Sequence, residues 1–199
     1  MSEQFADVRV FASQISAIKN PAIKTLVLTV LQRVPQRFFV EPASSSGKYH
    51  SPMECGKFGL VYHTKMLVKW ANELLNLEMY DELRAFRDEI YAACLLHDCI
   101  KFGFDEENKW TVYDHPNLAA DFVMRIALDL GTVDKDSINR ICGAIRSHSG
   151  QWNCDKYGNE IMPKPATNFE RFVHLCDYCA SRSWVDVSVV NLDLTARLS

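Results

Sequence analysis

The sequence predicts a single all-α domain, and two observations lead to this fold class. Apolar residues recur three or four positions apart along most of the 199-residue chain, which is the spacing of one face of an α-helix. The composition, with 48% apolar and 24% charged residues, is that of a globular protein able to bury a full core. It excludes the disordered and fibrous classes, and the sequence contains no internal repeat or low-complexity segment.

The first two helices and the last one have recognisable start and stop signals. Asn20-Pro21 separates the first helix from the second, which stops before Pro35. Thr167, with Glu170 three positions later, predicts a capping box at the start of the last helix. Helices are expected over residues 4–19, 22–34, 59–77, 81–98, 116–130, 135–148 and 168–182.

The helices between these are predicted mainly from their apolar faces. Leu60, Leu67 and Leu74 lie on one stripe of the third helix, and Ile90 turns inward on the fourth. The fifth helix begins at the sequence DHP, and Asp134 is placed to cap the sixth. Successive helices with apolar stripes indicate a bundle around one core.

Three segments lack a steady period and are predicted to lie outside helices. Residues 35–58 contain three prolines, two glycines and four serines, which favours a long ordered loop of the kind that often carries function. Residues 101–114 form a polar, turn-rich segment, and residues 149–166 form a loop with a short hairpin near 152–162. The tail, residues 184–199, alternates too weakly for a prediction.

Charge and cysteine content restrict the function classes. The net charge of −3 gives no overall basic surface for long nucleic acids, and no run of 18 apolar residues predicts a membrane span. The N-terminus lacks the apolar region of a secretory signal, so we expect a cytoplasmic protein. We therefore expect the seven cysteines to be reduced and mostly buried thiols. A structural zinc at Cys176 and Cys179 is the alternative.

Six side chains form the candidate metal centre. They are imidazoles and carboxylates placed at the ends or on the inward faces of different predicted helices, and such groups need partners when buried. Each could bond a separate neighbour in the core. As a set, however, they suffice for two divalent cations, with one aspartate bridging, and two such cations can clamp the oxygens of a phosphoryl group and lower the pKa of a water. The candidate ligands are His63, His97, Asp98, His115, His148 and Asp177.

The order of these residues resembles the HD-domain metal-dependent phosphohydrolases, whose ligand pattern is H…HD…D. Here the pattern is His63, the run LLHDCIK with His97-Asp98, and the late Asp177. The sequences DHP at 114–116 and IRSH at 145–148 resemble the binuclear subgroup, which has two more histidines. The runs PASSSGKYH…GLVYHT and CDYCASR also resemble the HD-type 3′–5′ exoribonucleases.

The resemblance implies an HD-domain helical bundle that binds divalent metal, with two ions of Mn, Fe, Ni, Co or Zn. The resemblance covers about residues 42–182, and residues 1–40 match no part of the family. We expect one HD-type domain over 1–199, comprising an N-terminal helical extension (1–40), the metal-binding core (42–182) and a tail (184–199). The subgroup that hydrolyses cyclic di-GMP is disfavoured, because its paired histidines are matched by a single His148 followed by Ser149 and its GYP signature is absent.

Further residues are candidates for substrate contacts. Lys101 lies one helical turn after Asp98 and could reach a phosphate, although a solvated lysine at a helix end is the alternative. Arg146 and Arg182 each lie near a proposed ligand, and pairing with a carboxylate is the alternative for each. We expect catalytic roles for Asp98, Lys101 and Arg146, and substrate binding by Ser44, Ser45, Ser46, Lys48, His50, Lys101, Arg146, Ser149 and Arg182.

The function expected from these residues is hydrolysis of a phosphoester or phosphoanhydride of a nucleotide or small phosphorylated molecule. A 3′–5′ nuclease on short oligonucleotides is the main alternative, although the acidic charge and the missing RNA-binding domain weaken it. A di-iron oxygenase and a non-catalytic nucleotide sensor are also compatible with the ligand set. We expect a nucleotide-type small molecule as the partner, short nucleic acid as a second option, and no membrane; the oligomeric state stays open.

Overall fold

The computed structural model describes residues 7–44, 50–105 and 107–182, and in these ranges the regular elements are helices. The α-helices are α1 (Ala12–Ala17), α2 (Pro21–Leu31), α3 (Gly59–Leu74), α4 (Arg87–Leu96), α5 (His115–Leu130), α6 (Lys135–Ser147) and α7 (Asn168–Ala180). The predicted all-α fold class is therefore confirmed.

Local chemistry sets several helix ends as the sequence predicts. The Asn20 side chain accepts hydrogen bonds from the first backbone N–H groups of α2. Thr167 and Glu170 form the expected capping box at the start of α7. Helix α5 ends at Gly131, whose φ of +60° is the left-handed conformation that favours glycine after a helix.

Helix α4 lies at the centre of the bundle and positions the site. It packs against α2, α3, α6 and α7, and residues 89–96 of it are all buried. A helix that is apolar on every side is stable only when neighbours surround it. The chain leaves the C-terminal end of α4 at His97 and Asp98, so both side chains lie in the interior of the molecule.

The helix predicted over residues 81–98 differs from the observed structure. Residues Glu78–Phe86 form 3-10 turns, and the α-helix begins only at Arg87. The guanidinium of Arg84 donates hydrogen bonds to the carbonyl oxygens of Leu75 and Asn76, at 2.7 and 3.1 Å. Arg84 thereby ties this segment to the end of α3, which explains why the chain turns tightly here.

The segment predicted as a long loop, residues 35–58, contains 3-10 turns at Gln36–Phe39 and Pro52–Glu54. Phe38, Phe39 and Glu54 are buried, so the described part of the loop is packed onto the domain. The predicted hairpin exists only as one antiparallel bridge, between Cys154 and Glu160. Residues 45–49 and the tail lie outside the described residues.

The seven cysteines form no disulfide, as expected for reduced thiols. Among the described helices, none combines the length and the apolar character needed to cross a bilayer.

Candidate metal centre

The predicted ligands come from five helices and meet in the interior of the bundle. His63 lies in α3, His115 is the first residue of α5, and Asp177 lies in α7. The remaining ligands directly follow helices: His97 and Asp98 follow α4, and His148 follows α6. Residues separated by up to 114 positions of chain thus share one site.

The first cluster consists of His63, His97, Asp98 and Asp177. Nε2 of His63 lies 3.3 Å from Nε2 of His97 and 3.0 Å from Oδ1 of Asp177. Nε2 of His97 lies 3.3 Å from Oδ2 of Asp98 and 3.8 Å from Oδ1 of Asp177. His63, His97 and Asp98 bring three donor atoms close enough to one another to hold one metal ion. Oδ1 of Asp177 lies beside both histidines of this group.

The second cluster consists of Asp98, His115 and His148. The other carboxylate oxygen of Asp98, Oδ1, lies 2.9 Å from Nε2 of His115 and 3.6 Å from Nε2 of His148. Asp98 therefore turns one oxygen to each cluster, which is the arrangement of a carboxylate that bridges two cations. Three protein ligands leave coordination positions for water or substrate, as in catalytic rather than structural sites.

Three of the histidines are oriented by the same hydrogen bond. Nδ1 of His97, His115 and His148 donates to the carbonyl oxygen three residues earlier, at 2.9, 2.7 and 2.7 Å respectively. Because a carbonyl oxygen only accepts, Nδ1 carries the proton and Nε2 presents a lone pair. Metal-binding histidines are held in the same way in other proteins, since the hydrogen bond fixes the tautomer and the ring orientation.

These lone pairs create a conflict that a cation resolves. Asp98 Oδ1 and His115 Nε2 are buried and have no hydrogen-bond partner among the described residues. Both atoms accept hydrogen bonds, yet they lie 2.9 Å apart. Separate core hydrogen bonds, the alternative left open by the sequence, do not account for such a pair. A divalent cation bound by both atoms does, and imidazole with carboxylate is a suitable donor set for Mn, Fe, Ni, Co or Zn.

The protonation states of Asp98 and His148 suit metal binding. Burial alone would raise the pKa of Asp98, but its neighbours, first of all the ammonium group of Lys101, outweigh it and hold the pKa well below the usual value. Burial, helped by the neighbouring His97, lowers the pKa of His148 to about 3. At neutral pH the aspartate is thus anionic and His148 is neutral, which are the forms that bind metals.

Glu54 stands behind His63 and is the site residue that sequence reasoning missed. Its Oε2 lies 3.5 Å from Nδ1 of His63, and it also forms a short hydrogen bond with His50. Burial opposes a charge on His63, but the neighbouring carboxylates of Asp177 and Glu54 outweigh it and raise the pKa of His63 to about 9. At neutral pH a metal ion therefore displaces a proton when it binds His63. A carboxylate behind a ligand histidine orients the ring and strengthens its metal bond.

The other predicted site residues have varied surroundings. Lys101 Nζ lies 2.6 Å from Oδ2 of Asp98, beside the centre. Arg146 pairs with Asp121 at 2.6 Å, which is the carboxylate pairing that the sequence left open. His50 contacts the same oxygen of Glu54, Oε2, that faces His63, and the two imidazole rings lie 5.3 Å apart. Arg182 packs on the ring of Tyr178.

The predicted serine and lysine cluster is only partly described. Ser44 is half-buried, whereas Ser45, Ser46 and Lys48 lie outside the described residues. Ser149 lies directly after His148 and lines a cavity that also reaches His115. The structure thus brings Ser149 to the centre and leaves the role of the serine run as a prediction.

Comparison with known proteins decides the family. Residues 60–182, more than half of the chain, match the HD domain. The chain belongs to the HD-domain family. The matched range contains all six predicted ligands, and it begins just before His63, so the resemblance expected from the sequence is confirmed.

One relative of this HD-domain protein is the 3′–5′ exoribonuclease YhaM of Geobacillus sp. (strain WCH70). The two are 34% identical over 84 residues, which make up 42% of this chain and 23% of the relative. The chain therefore matches only about a quarter of that protein's length. No solved structure matches the chain.

Proposed function

We propose that this HD-domain protein hydrolyses a phosphoester or phosphoanhydride bond of a nucleotide or small phosphorylated molecule. The observation that carries the proposal is the bridging position of Asp98, with one oxygen facing His97 and the other facing His115. Two divalent cations bound there would neutralise phosphate oxygens and lower the pKa of a water molecule. Phosphoryl transfer to water needs both effects.

The chain's own residues supply the remaining requirements. Asp98, which is almost fully buried, holds a negative charge between the two clusters, and Lys101 places a positive charge beside it at 2.6 Å. Asp177 keeps 20% of its side chain exposed, so solvent reaches the centre from the α7 side. In the hydrolysis, the oxygen of water bonds to phosphorus, the bond to the leaving oxygen breaks, and that oxygen takes up a proton.

A 3′–5′ nuclease acting on short oligonucleotides is the second candidate, and the match to the Geobacillus exoribonuclease favours it. The net charge of −3 argues against tight binding of a long strand, because such binding relies on neutralising many phosphates. A short oligonucleotide has fewer phosphates to neutralise, so the net charge argues less strongly against it. A di-iron oxygenase would use the same ligands with iron and would consume oxygen.

The proposal is tested with Mn²⁺-loaded protein against nucleoside mono- and triphosphates, dinucleoside polyphosphates and short RNA oligonucleotides. We expect phosphate or nucleotide release that EDTA abolishes and that Asp98→Asn reduces to background. Asp129→Asn is the matched control, because Asp129 is exposed on α5 away from the ligands. Absence of turnover for every substrate, or full activity of Asp98→Asn, would contradict the proposal.

A further inference from the structure

A cavity beside the second cluster is lined by large exposed aromatic residues. It has a volume of about 370 Å³, within the range of small-ligand pockets, and His115 and Ser149 contribute to its wall. Trp110, Tyr113 and Trp152 line it as well, and they are 69%, 60% and 51% exposed. Three exposed aromatic rings around one cavity, next to a metal ligand, mark a binding site rather than ordinary surface.

The Trp152 ring is held in place by its neighbours. It stacks on Tyr178 with an interplanar angle of 8° and a centroid distance of 6.0 Å. The guanidinium of Arg182 lies over the Tyr178 ring, 4.1 Å from its centroid. Tyr178 therefore supports Trp152 on one side, while the indole still contributes to the cavity wall. A ring fixed before the ligand arrives loses little conformational freedom on binding.

The backbone around Trp110 is fixed too. The Asn108 side chain accepts a hydrogen bond from the Trp110 N–H and donates one to the Trp110 carbonyl oxygen, at 3.2 and 2.8 Å. The following Val112 N–H donates to the Lys101 carbonyl oxygen at 2.9 Å. Trp110 is thereby linked to the segment that follows Asp98 and supplies a second preformed wall.

We propose that this cavity binds the base of a mononucleotide whose phosphate is held at the metal centre. The inference rests on the proposed function and adds its substrate class. Nucleobases stack on aromatic side chains, and the shared residue His115 joins the base site to the phosphate site. The hydroxyl groups of Thr111 and Ser149, which also line the cavity, can contact the base edge or the sugar.

A mononucleotide fits these observations better than the end of a strand. The described residues that line the cavity include no lysine or arginine. The guanidinium of Arg182 lies over the Trp152 ring, 5.4 Å from its centroid, so the cavity has one cationic neighbour rather than the row of cations that a strand of phosphates needs. Stacking with few fixed polar contacts also predicts tolerance of different bases. The protein should then prefer phosphate esters that carry a base over those that do not.

The first experiment measures binding without turnover. The indole N–H signals of Trp110 and Trp152 are followed by NMR in metal-free protein during titration with adenosine, guanosine, cytidine and uridine, and are assigned with Trp110→Ala and Trp152→Ala. We expect both signals to shift, while the signal of Trp70, which does not line the cavity, stays in place. Nucleosides that shift neither signal overturn the inference, whatever the protein hydrolyses.

The second experiment measures hydrolysis of adenosine 5′-monophosphate and ribose 5-phosphate, which differ by the base. Trp110→Ala should raise KM for the nucleotide about tenfold and leave ribose 5-phosphate within about twofold, since only the base stacks. Tyr157→Ala, which removes an exposed aromatic ring outside the cavity, should change neither. Equal effects of Trp110→Ala on both substrates, or tighter binding of oligonucleotides with a steep salt dependence, would overturn the inference.

The two experiments separate the two proposals. Absence of turnover for the two esters and for every substrate tested under the proposed function, together with shifted indole signals, means that the proposed hydrolase activity fails and the base site stands. Equal hydrolysis of both esters with unshifted signals means that the activity stands and the base site fails.

Discussion

Gly150 allows the segment after His148 to pass closely over a histidine ring, and replacing it tests this packing. Gly150 has a φ of +59°, and a Cβ added there would lie 2.2 Å from Cε1 and 2.3 Å from Nε2 of His174. Nδ1 of His174 donates to the carbonyl oxygen of His148 at 2.7 Å. In Gly150→Ala the ring must therefore move, and the backbone carbonyl of His148, a proposed metal ligand, loses its hydrogen bond.

The expected cost can be worked out from these contacts. A left-handed conformation costs a non-glycine residue about 1–2 kcal/mol. Loss of the His174 hydrogen bond adds about 1 kcal/mol, and displacement of the half-buried ring adds a similar amount of strain. We therefore expect Gly150→Ala to lower the free energy of unfolding by about 3–4 kcal/mol. Gly158 provides the matched control, because its φ is +86° but no atom lies within 4 Å of an added Cβ. Gly158→Ala should cost only the conformational part, about 1–2 kcal/mol.

Urea denaturation of metal-free protein measures both costs, and a double-mutant cycle isolates the contact. In a His174→Ala background the clash is absent, so Gly150→Ala should cost no more than Gly158→Ala does. Equal destabilisation by Gly150→Ala and Gly158→Ala in the parent background would refute the close packing of Gly150 on His174.

Three further predictions concern the metal centre. Glu54→Gln should weaken metal affinity about 10–100-fold because His63 loses the carboxylate behind its ring; titration with Mn²⁺ measures this, and unchanged affinity would contradict that role. In metal-free protein, Glu54, with its pKa lowered from 4.5 to about 2, stabilises the fold above pH 4.5 and loses this contribution as the pH falls. His63, with its pKa raised from 6.5 to about 9, stabilises it below pH 6.5 and loses this as the pH rises. Urea denaturation should therefore show that Glu54→Gln lowers the free energy of unfolding most in the range from pH 4.5 to pH 6.5. A difference from the parent that grows towards pH 9 would contradict the pairing of Glu54 with His63. Lys101→Met should lower kcat about 100-fold with unchanged metal content, since its charge acts on the phosphate; loss of metal would show instead that Lys101 serves only to hold Asp98.

The sequence was sufficient for the parts of the fold that depend on local chemistry. The Asn20 cap and the Thr167–Glu170 capping box act between residues two to three positions apart, so their effect on the helix ends follows directly from the sequence. The 3-10 segment over residues 78–86 could not be foreseen in this way. It depends on Arg84 reaching back to the end of α3, nine positions earlier for Leu75, and periodicity carries no signal of that contact.

In the candidate site, too, the sequence predicts some residues and misses others. Chemical type and order predicted His97-Asp98 and the other ligands, because imidazoles and carboxylates in apolar helices need a partner. Glu54 gave no such signal: it ends a short 3-10 turn in a segment without helical periodicity, and its burial follows from the packing of that turn against α3. Gly59 allows this approach, since an added Cβ would lie 2.1 Å from the Glu54 carbonyl oxygen.

The central claim is that one carboxylate, Asp98, joins two cations in the interior of the helical bundle. Its most direct test is the metal content of folded protein after loading with Mn²⁺ or Zn²⁺ and removal of excess ions, measured by inductively coupled plasma mass spectrometry. The account predicts about two ions per chain in the parent and in Asp129→Asn, and fewer than one in Asp98→Asn. A folded parent that retains no metal, or an Asp98→Asn variant that retains both ions, would contradict it.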